Sequence, residues 1–464
     1  MPRGETRGLI EELRACLPGQ VTQEESEIAR HAGGEGYSVS VNPAAVVMAR
    51  STQDVQTVMR LCSQANVPVV PFGIGTSLEG HVTPVEGGIS LDMSEMDRIL
   101  EISPDDLTVI VQPGLRRVSL NESLAEKKLF FSVDPGSNAT LGGMASTGAS
   151  GTTTVRYGSM RENVMALEVV LADGTIVRTG TRARKDSAGY DLTRLLVGSE
   201  GTLGVITELT LRVFGIPESM AGGSGTFEKL SDGVSAATEL VKRGLPVARC
   251  EFLDAYSVKA INAYLGTTLK EAPTLFLELH GSASSIDLLA HEAEEILKSF
   301  GATDLAWTSD ESERLQLWKS RYSAYPAVIA SRVGAAVITT DSAVPLSKLP
   351  GAVEYAQEVF DSQPFTWSVL GHVADGNFHA LLQFDPLDEN ALAAAKSATQ
   401  KLTARVIELG GTCTGEHGIG LGKRESLESQ VGSERIELMR SVKRAFDPGN
   451  ILNPGKVMFP EGGR

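Results

Sequence analysis

The stretch Gly371–Gln383, GHVADGNFHALLQ, constrains the fold most, because it combines a tight-turn dipeptide with two histidines. Asp375-Gly376 favours a two-residue type I′ hairpin, since both central residues of that turn need positive φ. Such a turn pairs His372 with His379 on one face of two antiparallel strands, with Cβ atoms roughly 5 Å apart. Two imidazoles at that distance can bind one metal ion. From this stretch alone, a surface hairpin with two unrelated histidines is the alternative.

A second short motif, GEHG at 415–418, supplies a carboxylate and a third imidazole. Two histidines and one glutamate that leave a coordination position open are typical of a catalytic metal site, whereas structural sites are closed by four protein ligands. We therefore predict that His372, His379 and Glu416 bind a divalent metal. Nitrogen and carboxylate ligands suit Zn²⁺ and Mn²⁺ equally.

Length and composition limit the classes of protein. The 464 residues suffice for two domains, and 42% hydrophobic with 22% charged residues is ordinary for a soluble globular chain. The net charge of −16 argues against nucleic acid as a partner and against docking on an anionic membrane. No apolar run approaches the about 18 residues of a spanning helix, so we predict no transmembrane segment.

The N-terminal residues indicate the compartment. The sequence MPRGETRGLIEELRACLPG lacks the apolar core of a secretory signal, and its glutamates are unlike a mitochondrial presequence. Cys16, Cys62, Cys250 and Cys413 form no CxxC pair and no metal-ligand spacing. We expect a reduced cytoplasm, with attachment to the face of the inner membrane as the alternative.

The pattern of apolar residues predicts the elements. Ser51 and Asp54 resemble a capping box at the start of a helix, and a strand follows at Val67–Val70. In the first half we predict helices at 9–17, 24–32 and 119–129, a strand at 88–93, and hairpins at 98–112 and 167–179, the second turning at Asp173-Gly174. Gly215–Gly225 indicates a domain boundary. Beyond it we predict a sheet covered by helices, an α+β arrangement, with helices at 228–243, 254–264, 285–299, 310–330 and 346–360, strands at 247–252, 274–280, 335–341, 366–372 and 378–384, and a final helix at 433–446.

Three loops rich in small residues lie in the first half. The loop after the strand at 67–70, PFGIGTSLEG at 71–80, does not fit GxGxxG, which disfavours a nicotinamide-type turn. Its exposed backbone N–H groups suit a diphosphate, with a structural turn as the alternative. The stretches 134–154 and 195–206 are similar, and small side chains let a ligand lie against the backbone. Three such loops imply one large ligand, although a low-complexity linker is the other interpretation of 134–154.

Together these stretches resemble the FAD-linked oxidases of the vanillyl-alcohol oxidase type, in the branch that holds D-lactate dehydrogenase and the glycolate oxidase flavoprotein subunit. The motifs PFGIGTSLEG, GGMASTGASG, LVGSEGTLGVIT, GHVADGNFH, GEHGIG and NPGK occur in the family's order. The resemblance implies a two-lobed α+β fold. It consists of an FAD-binding domain at 1–215, an α+β (ferredoxin-like) substrate- and metal-binding cap at 216–424, and a C-terminal helix and tail at 425–464 that complete the FAD lobe.

The resemblance also implies the cofactor and the residues that hold it. FAD is expected without a covalent bond, because His81 lies outside the pattern that tethering members use. The residues expected to bind it are Pro71, Gly73, Gly75, Thr76, Ser77, Gly80, Pro135, Gly136, Gly142, Gly143, Ser146, Thr147, Gly148, Ser150, Gly151, Gly158, Glu200, Gly201, Gly204, Val205, Ile206 and Asn453. The first loop would hold the diphosphate, the second the isoalloxazine and ribityl chain, and the third the adenosine end, while Asn453 would close over the flavin.

The reaction implied by the resemblance is oxidation of a D-2-hydroxy acid, D-lactate to pyruvate, with hydride transfer to flavin N5. An external acceptor such as a quinone, a cytochrome or an electron-transfer protein would take the electrons. The metal would polarise the substrate hydroxyl, and His417 would be the general base, with a fourth metal ligand as its alternative role. Arg321 would bind the substrate carboxylate in bidentate fashion, although a charge on the helix surface is its alternative. Tyr325, one turn later on the same helix face, and Trp318 would border the pocket, and Asn377 would support the site or be a plain turn residue.

Two positions depart from the family pattern. Ala374 stands where glycine is usual, which bears on the shape of the hairpin and on metal affinity. Thr339-Thr340-Asp341 lacks the lysine that the D-2-hydroxyglutarate branch uses for a second carboxylate, so a monocarboxylate is expected. The alternatives are a glycolate-oxidising subunit with iron–sulfur partner chains, a D-2-hydroxyglutarate-type dehydrogenase, an oxidase that reduces O₂, and a flavin-binding scaffold without catalysis. For the oligomeric state we expect a homodimer.

Overall fold

The computed structural model describes residues 3–460 and divides into two compact units. Unit one comprises the described parts of Met1–Ser150, Gly158–Ile216 and Glu416–Arg464, and unit two comprises Gly151–Tyr157 and Pro217–Gly415. The three-part division at 215 and 424 stays a prediction from the sequence. Within residues 3–460, no helix is both long and apolar enough to cross a membrane.

The helices of both units are named in chain order. They are α1 Arg3–Cys16, α2 Glu25–Arg30, α3 Thr52–Ala65, α4 Arg117–Ala125, α5 Leu141–Thr147, α6 Thr154–Tyr157, α7 Met160–Asn163, α8 Leu192–Leu196, α9 Leu230–Lys242, α10 Ala255–Leu265, α11 Ile286–Ser299, α12 Glu311–Tyr322, α13 Ala324–Ala330, α14 Leu349–Phe360, α15 Glu389–Glu408 and α16 Arg424–Phe446. Short 3₁₀ turns occupy Leu346–Lys348 and Val373–Asp375.

The strands are named in the same way. They are β1 Val21–Thr22, β2 Ala45–Met48, β3 Val69–Phe72, β4 Ile89–Asp92, β5 Ile99–Ser103, β6 Thr108–Val111, β7 Leu129–Phe130, β8 Val164–Val170, β9 Ile176–Gly180, β10 Val205–Arg212, β11 Phe214–Gly215, β12 Ser219–Thr226, β13 Val247–Leu253, β14 Thr274–Gly281, β15 Thr303–Thr308, β16 Ala336–Thr339, β17 Ser342–Ala343, β18 Thr366–Gly371 and β19 Asn377–Phe384.

Unit one is built on two main sheets. The first has the order β1-β2-β4-β3, in which β2, β4 and β3 run parallel, and α3 connects β2 to β3. The first turn of α3 is capped by Ser51 Oγ, which accepts from the Asp54 N–H at 3.2 Å. This confirms the predicted cap. The second sheet, β5-β6-β10-β8-β9, is antiparallel and contains both predicted hairpins. The loop that starts at Gly73 leaves the carboxyl end of β3, the edge of a parallel sheet where ligands usually bind.

Unit two is built on one antiparallel sheet covered by helices, as the α+β prediction states. Its order is β15-β12-β14-β13-β18-β19-β16, with β17 paired to β19 off this path. Apolar side chains of α9, α11, α14 and α15 pack on the sheet and form its largest buried cluster. The central position of β13 and its neighbour β18 matters for the candidate site, because polar residues there are enclosed on both sides.

Unit two begins at Pro217, inside the stretch 215–225 that was predicted as a domain boundary, and most of that stretch forms strand β12. Its glycines are required by packing. A Cβ at Gly223 would lie 2.6 Å from the Trp307 ring, and one at Gly225 would lie 2.8 Å from Leu305. Both neighbours belong to the region of β15, a strand that the sequence did not predict. Small residues here allow close approach of side chains from the next strand, whereas in isolation they look like a flexible connection.

Other boundaries also differ from the predictions. The single helix predicted at 310–330 is divided at Ser323 into α12 and α13. The helix predicted at 119–129 ends at Ala125, and the long helix α15 was not predicted. The C-terminal helix begins at Arg424 and is interrupted at Gly432, whose φ is +78°. The positive φ explains the break, because a right-handed helix cannot continue through it.

Candidate functional site

The hairpin around His372 has a different turn from the predicted one. Leu370 pairs with His379, and the connection contains a 3₁₀ turn closed by the Asp375 N–H to the His372 carbonyl at 2.9 Å. Only Gly376 has positive φ, +78°. The predicted pairing of His372 with His379 across a type I′ turn is therefore wrong. The two imidazoles still lie together, with ring centroids 5.7 Å apart and planes at 86°.

Both histidines have their Nδ1 atoms engaged. Nδ1 of His379 lies 3.2 Å from the Thr340 carbonyl, and Nδ1 of His372 lies 2.6 Å from Glu251 Oε1. Both partners accept hydrogen bonds, so in the neutral imidazole each Nδ1 carries the proton and each Nε2 keeps its lone pair. One ring nitrogen of His372 and one ring nitrogen of His379 lie within 4.8 Å of each other, close enough to bind the same metal ion. This pair fits a divalent metal by the chemistry of its donors.

Glu251 is the main residue that the sequence reasoning missed. Phe252 on β13 pairs with Gly371 on β18, so the preceding Glu251 faces His372. The side chain is fully buried. Its signal in the sequence is a single carboxylate within the apolar strand VARCEFL, and a buried glutamate nearly always has a partner.

Arg321 is the partner of the second oxygen of Glu251. The guanidinium lies at the end of α12, is 7% exposed, and donates from Nε and Nη2 to Glu251 Oε2 at 2.9 and 2.5 Å. One edge of the planar fork is therefore occupied. The edge formed by Nη1 and the second hydrogen of Nη2 is the one with which a further carboxylate can pair.

The neighbours expected beside Arg321 have different environments. Trp318 is 3% exposed, and its Nε1 donates to Glu278 at 2.9 Å within the core of unit two. Tyr325 lies on α13 beyond the helix break and is 43% exposed. Arg321 and Tyr325 are thus not on one continuous helix, since α12 ends and α13 begins at Ser323.

Asp341 is a second buried carboxylate that sequence reasoning did not assign. Its Oδ1 accepts from Asn377 Nδ2 at 2.9 Å and its Oδ2 from Thr414 Oγ1 at 2.7 Å, while His379 Nδ1 is 3.7 Å from Oδ1. Asn377 thereby supports the residues around His379. Ala374, the departure from the family pattern, is 4% exposed and packs in the core without positive φ, so its methyl group causes no backbone strain.

Glu416 and His417 are the first two residues of the last segment of unit one, which follows Gly415 directly. Ser150 Oγ donates to Glu416 Oε2 at 2.5 Å, and His417 Nε2 lies 3.8 Å from Glu416 Oε1. The following turn is held by Glu200, whose two oxygens accept from the N–H groups of Ile419 and Gly420 at 2.7 and 2.8 Å.

The side chains of Glu200 and Asn453 form hydrogen bonds within unit one. Asn453 Nδ2 donates to the carbonyls of His81 and Glu200 at 2.9 and 2.8 Å. His81 is 4% exposed, and its Nε2 lies 3.4 Å from Glu200 Oε2. Burial acts to raise the pKa of the Glu200 carboxyl, but His81 and the two backbone donors outweigh this and lower it. The three side chains therefore join the segments at 81, 200 and 453.

Several glycines of the expected cofactor loops are required by the protein itself. A Cβ at Gly73 would lie 2.4 Å from Thr140 Oγ1, at Gly142 2.5 Å from Pro113, and at Gly204 2.4 Å from Val169. By contrast, a Cβ at Gly136 would meet no atom of residues 3–460 within 4 Å. Ser77 Oγ is buried without a hydrogen-bond partner among the described residues. An unsatisfied hydroxyl in a loop of exposed N–H groups fits a polar ligand such as a diphosphate.

The remaining residues expected at the cofactor lie on the same loops, except Gly158, which follows α6. Ser137 Oγ donates to Thr76 Oγ1 at 3.4 Å and so joins the first two loops. In unit one the structure places Pro71, Gly75, Thr76, Gly80, Pro135, Gly143, Ser146, Thr147, Gly148, Ser150, Gly158, Gly201, Val205 and Ile206, while Gly151 begins the short segment of unit two.

Comparison with known proteins gives two family matches and several long alignments. Residues 43–180 match the family described as FAD binding domain, and residues 216–457 match that described as FAD linked oxidases, C-terminal domain. A probable mitochondrial D-lactate dehydrogenase of Danio rerio is 45% identical over 90% of this chain and 84% of its own length. A mitochondrial D-lactate dehydrogenase [cytochrome] of Arabidopsis thaliana is 39% identical, over 97% and 80%.

A glycolate oxidase subunit GlcD of Bacillus subtilis is 35% identical over 89% of both chains. Among solved structures, p-cresol methylhydroxylase with substrate bound superposes with a TM-score of 0.82 at 18% identity, covering 100% of this chain and 99% of that one. At this identity the match shows the fold, which is of the vanillyl-alcohol oxidase type. The resemblance drawn from the motifs is confirmed.

Proposed function

The chain belongs to the family of FAD-linked oxidases, and we propose that it oxidises a D-2-hydroxy acid, D-lactate first among them, to the 2-oxo acid. Electrons would then pass to an external acceptor. The relatives named D-lactate dehydrogenase support this substrate. The absence of a lysine in Thr339-Thr340-Asp341 supports a monocarboxylate, because a second substrate carboxylate near Asp341 would meet like charge.

One observation carries the proposal: the His372 imidazole and the Arg321 guanidinium are held by the two oxygens of one buried carboxylate, Glu251. They are therefore close neighbours within unit two. A 2-hydroxy acid carries on adjacent carbons the two groups that such a pair recognises, a hydroxyl for a metal ligand sphere and a carboxylate for a guanidinium.

The proposed metal ligands are His372, His379 and Glu416. Glu416 follows Gly415 directly in the chain, and its carboxylate is oriented by Ser150. When bound there, a divalent ion supplies a Lewis acid that lowers the pKa of a hydroxyl group, and FAD bound to the loops of unit one supplies the two-electron oxidant.

The remaining chemistry is assigned to side chains of this protein. Arg321 binds the substrate carboxylate through the edge that Glu251 leaves open, which fixes the face of the substrate. His417 accepts the hydroxyl proton, since imidazole titrates near neutral pH. Tyr325 borders the substrate from its exposed position on α13, and Trp318 lies one turn before Arg321 on α12. Asn377 acts through Asp341, to which it is hydrogen-bonded.

The test is an anaerobic visible spectrum of the purified protein with D-lactate, then L-lactate, added. We expect D-lactate alone to bleach the flavin band, a chelator to abolish the bleaching, and Mn²⁺ or Zn²⁺ to restore it. His379→Ala should not bleach. His291→Ala, which removes an exposed histidine of the same unit, should behave as the parent protein. A protein that cannot be loaded with FAD contradicts the whole proposal.

Glycolate is the second candidate, favoured by the similarity to a glycolate oxidase subunit. The same experiment separates the two, because glycolate has no stereocentre and no methyl group. Bleaching by glycolate at much lower concentration than by D-lactate would select this candidate, and copurifying iron–sulfur chains would support it.

A further inference from the structure

Glu251 contacts two parts of the proposed site with separate oxygens. Oε1 lies 2.6 Å from Nδ1 of His372, and Oε2 accepts from Nε and Nη2 of Arg321 at 2.9 and 2.5 Å. We infer that Glu251 is a positioning residue that sets the tautomer of His372 and the orientation of Arg321, and so couples metal affinity to substrate-carboxylate affinity. This inference rests on the proposed function and assigns a further residue to it.

The contact to His372 determines which ring nitrogen is available. A neutral imidazole has one N–H donor and one acceptor nitrogen, and an ionised carboxylate only accepts. Oε1 therefore keeps the proton on Nδ1 and the lone pair on Nε2. Without this partner the other tautomer becomes accessible and the ring can rotate, and loss of such a contact typically weakens metal binding about 10- to 100-fold.

The contact to Arg321 determines which edge of the guanidinium is available. The fork is planar, so a carboxylate bound along Nε and Nη2 directs the edge formed by Nη1 and Nη2 away from itself. The buried cation also requires a compensating charge. Because both contacts belong to one side chain, a shift that weakens one of them disturbs the other.

Neighbouring strands place Glu251 rigidly. Phe252 and Leu253 pair with Gly371 and Leu370, and on the other side Glu251 itself pairs with Phe276 of β14. The competing explanation is that Glu251 only neutralises Arg321 inside the fold. That explanation predicts a loss of stability on substitution without any change in metal affinity.

Glu278 provides a matched control. It is 2% exposed in the adjacent strand β14, and it also contacts a histidine and an arginine, His280 at 2.9 Å and Arg314 at 3.2 Å. Glu278→Gln therefore removes an equivalent buried charge from the same sheet. Glu251→Gln keeps the shape, but its amide oxygen can serve only one of the two donors. Glu251→Asp keeps the charge on a shorter side chain and provides a variant if the glutamine protein does not fold.

The experiment uses FAD-loaded, chelator-treated protein. Mn²⁺ binding is followed by the electron paramagnetic resonance signal of the free ion, which does not depend on turnover, and D-lactate affinity is followed by anaerobic flavin bleaching at saturating Mn²⁺. We expect Glu251→Gln to weaken both affinities at least about 10-fold, Glu251→Asp to retain part of both, and Glu278→Gln to bind Mn²⁺ as the parent protein does.

The outcomes separate this inference from the proposed function. If the parent protein binds Mn²⁺ and is reduced by D-lactate while Glu251→Gln keeps either affinity unchanged, a shared positioning role is excluded. Equal weakening of Mn²⁺ binding by Glu278→Gln overturns it as well, because the effect would then be general to buried charges in the sheet. If the parent protein itself neither binds Mn²⁺ nor reacts with D-lactate, the proposed function fails and this inference with it.

Discussion

The carboxylate of Glu200 accepts a hydrogen bond from the backbone N–H of Ile419 at 2.7 Å, across 219 residues of sequence. Its other oxygen accepts from Gly420. Gly418 has φ of +78°, and a Cβ there would lie 2.6 Å from His81 Nε2. The turn that follows Glu416 and His417 is thus fixed by a buried acid and by the close packing that glycine permits.

The first prediction concerns this turn. Glu200→Ala removes two hydrogen bonds to a charged acceptor, and each contributes about 1.5–3 kcal/mol. We expect the free energy of unfolding to fall by about 3 kcal/mol and hydrogen exchange at residues 416–420 to accelerate. Denaturant titration and exchange mass spectrometry measure the two effects. Glu95→Gln, which removes an exposed ion pair with Arg50, is the control and should change both little. Unchanged exchange at 416–420 in the alanine variant would contradict the assigned role.

The second prediction concerns the substrate carboxylate. Arg321→Lys keeps a cation beside Glu251 but loses the fork, and loss of one charge-assisted hydrogen bond of about 1.5–3 kcal/mol corresponds to roughly 10- to 150-fold in KM. Steady-state kinetics with D-lactate should show this rise in KM with flavin content unchanged. Arg332→Lys, whose Nη1 donates to the Gln383 carbonyl at 3.0 Å, is the control in the same unit. A fall in kcat alone would show that Arg321 does not bind the carboxylate.

The third prediction separates packing from cofactor contact in the glycine loops. Gly73→Ala should lower FAD affinity because its methyl group meets Thr140 Oγ1, and Thr140→Ala in the same protein should restore part of it. The methyl group of Gly136→Ala would contact no atom in the described part of the chain, so we expect unchanged stability without FAD. Fluorescence titration with FAD measures the affinities. Failure of the double variant to recover would mean that the cofactor, rather than Thr140, excludes the methyl group at 73.

The fold was predictable wherever local signals agree with tertiary contacts. Ser51 caps its helix as its position before Asp54 predicts, and both early hairpins form. The turn at Asp375-Gly376 does not follow its local preference, because Gly376 pairs with a distant segment. Its carbonyl accepts from the Val344 N–H at 3.0 Å, and a Cβ on Gly376 would lie 2.2 Å from the Val344 carbonyl oxygen. Contacts from outside the hairpin therefore determine the turn.

The candidate site was predictable only in part for the same reason. The histidines are recognisable from their motif, but Glu251 is joined to partners 70 and 121 residues away, so no spacing in the sequence connects them. A single carboxylate in an apolar strand was the available signal. Strand β12 was not predicted from its glycines, because the indole of Trp307, which needs their space, lies on a strand that is distant in sequence.

The last prediction concerns acid stability and Glu278. Burial acts to raise the pKa of this carboxyl, but the His280 hydrogen bond and the Arg249 charge outweigh it and lower the pKa from 4.5 to about 2. Because the folded state binds its proton more weakly than the unfolded state, Glu278 stabilises the fold above pH 4.5, and this contribution is lost as the pH falls towards 2. The stabilisation amounts to about 3 kcal/mol.

Glu278→Gln should therefore lower the urea midpoint strongly at pH 7, and the difference from the parent protein should shrink between pH 4.5 and 3. Titration with urea at several pH values measures this. Glu295→Gln removes an exposed carboxylate paired with Lys298 on α11 and should leave the midpoint unchanged at every pH, because solvent screens that pair. A difference between Glu278→Gln and the parent protein that stays constant down to pH 3 would show that the loss comes from altered packing around Trp318 and not from the ionised carboxylate.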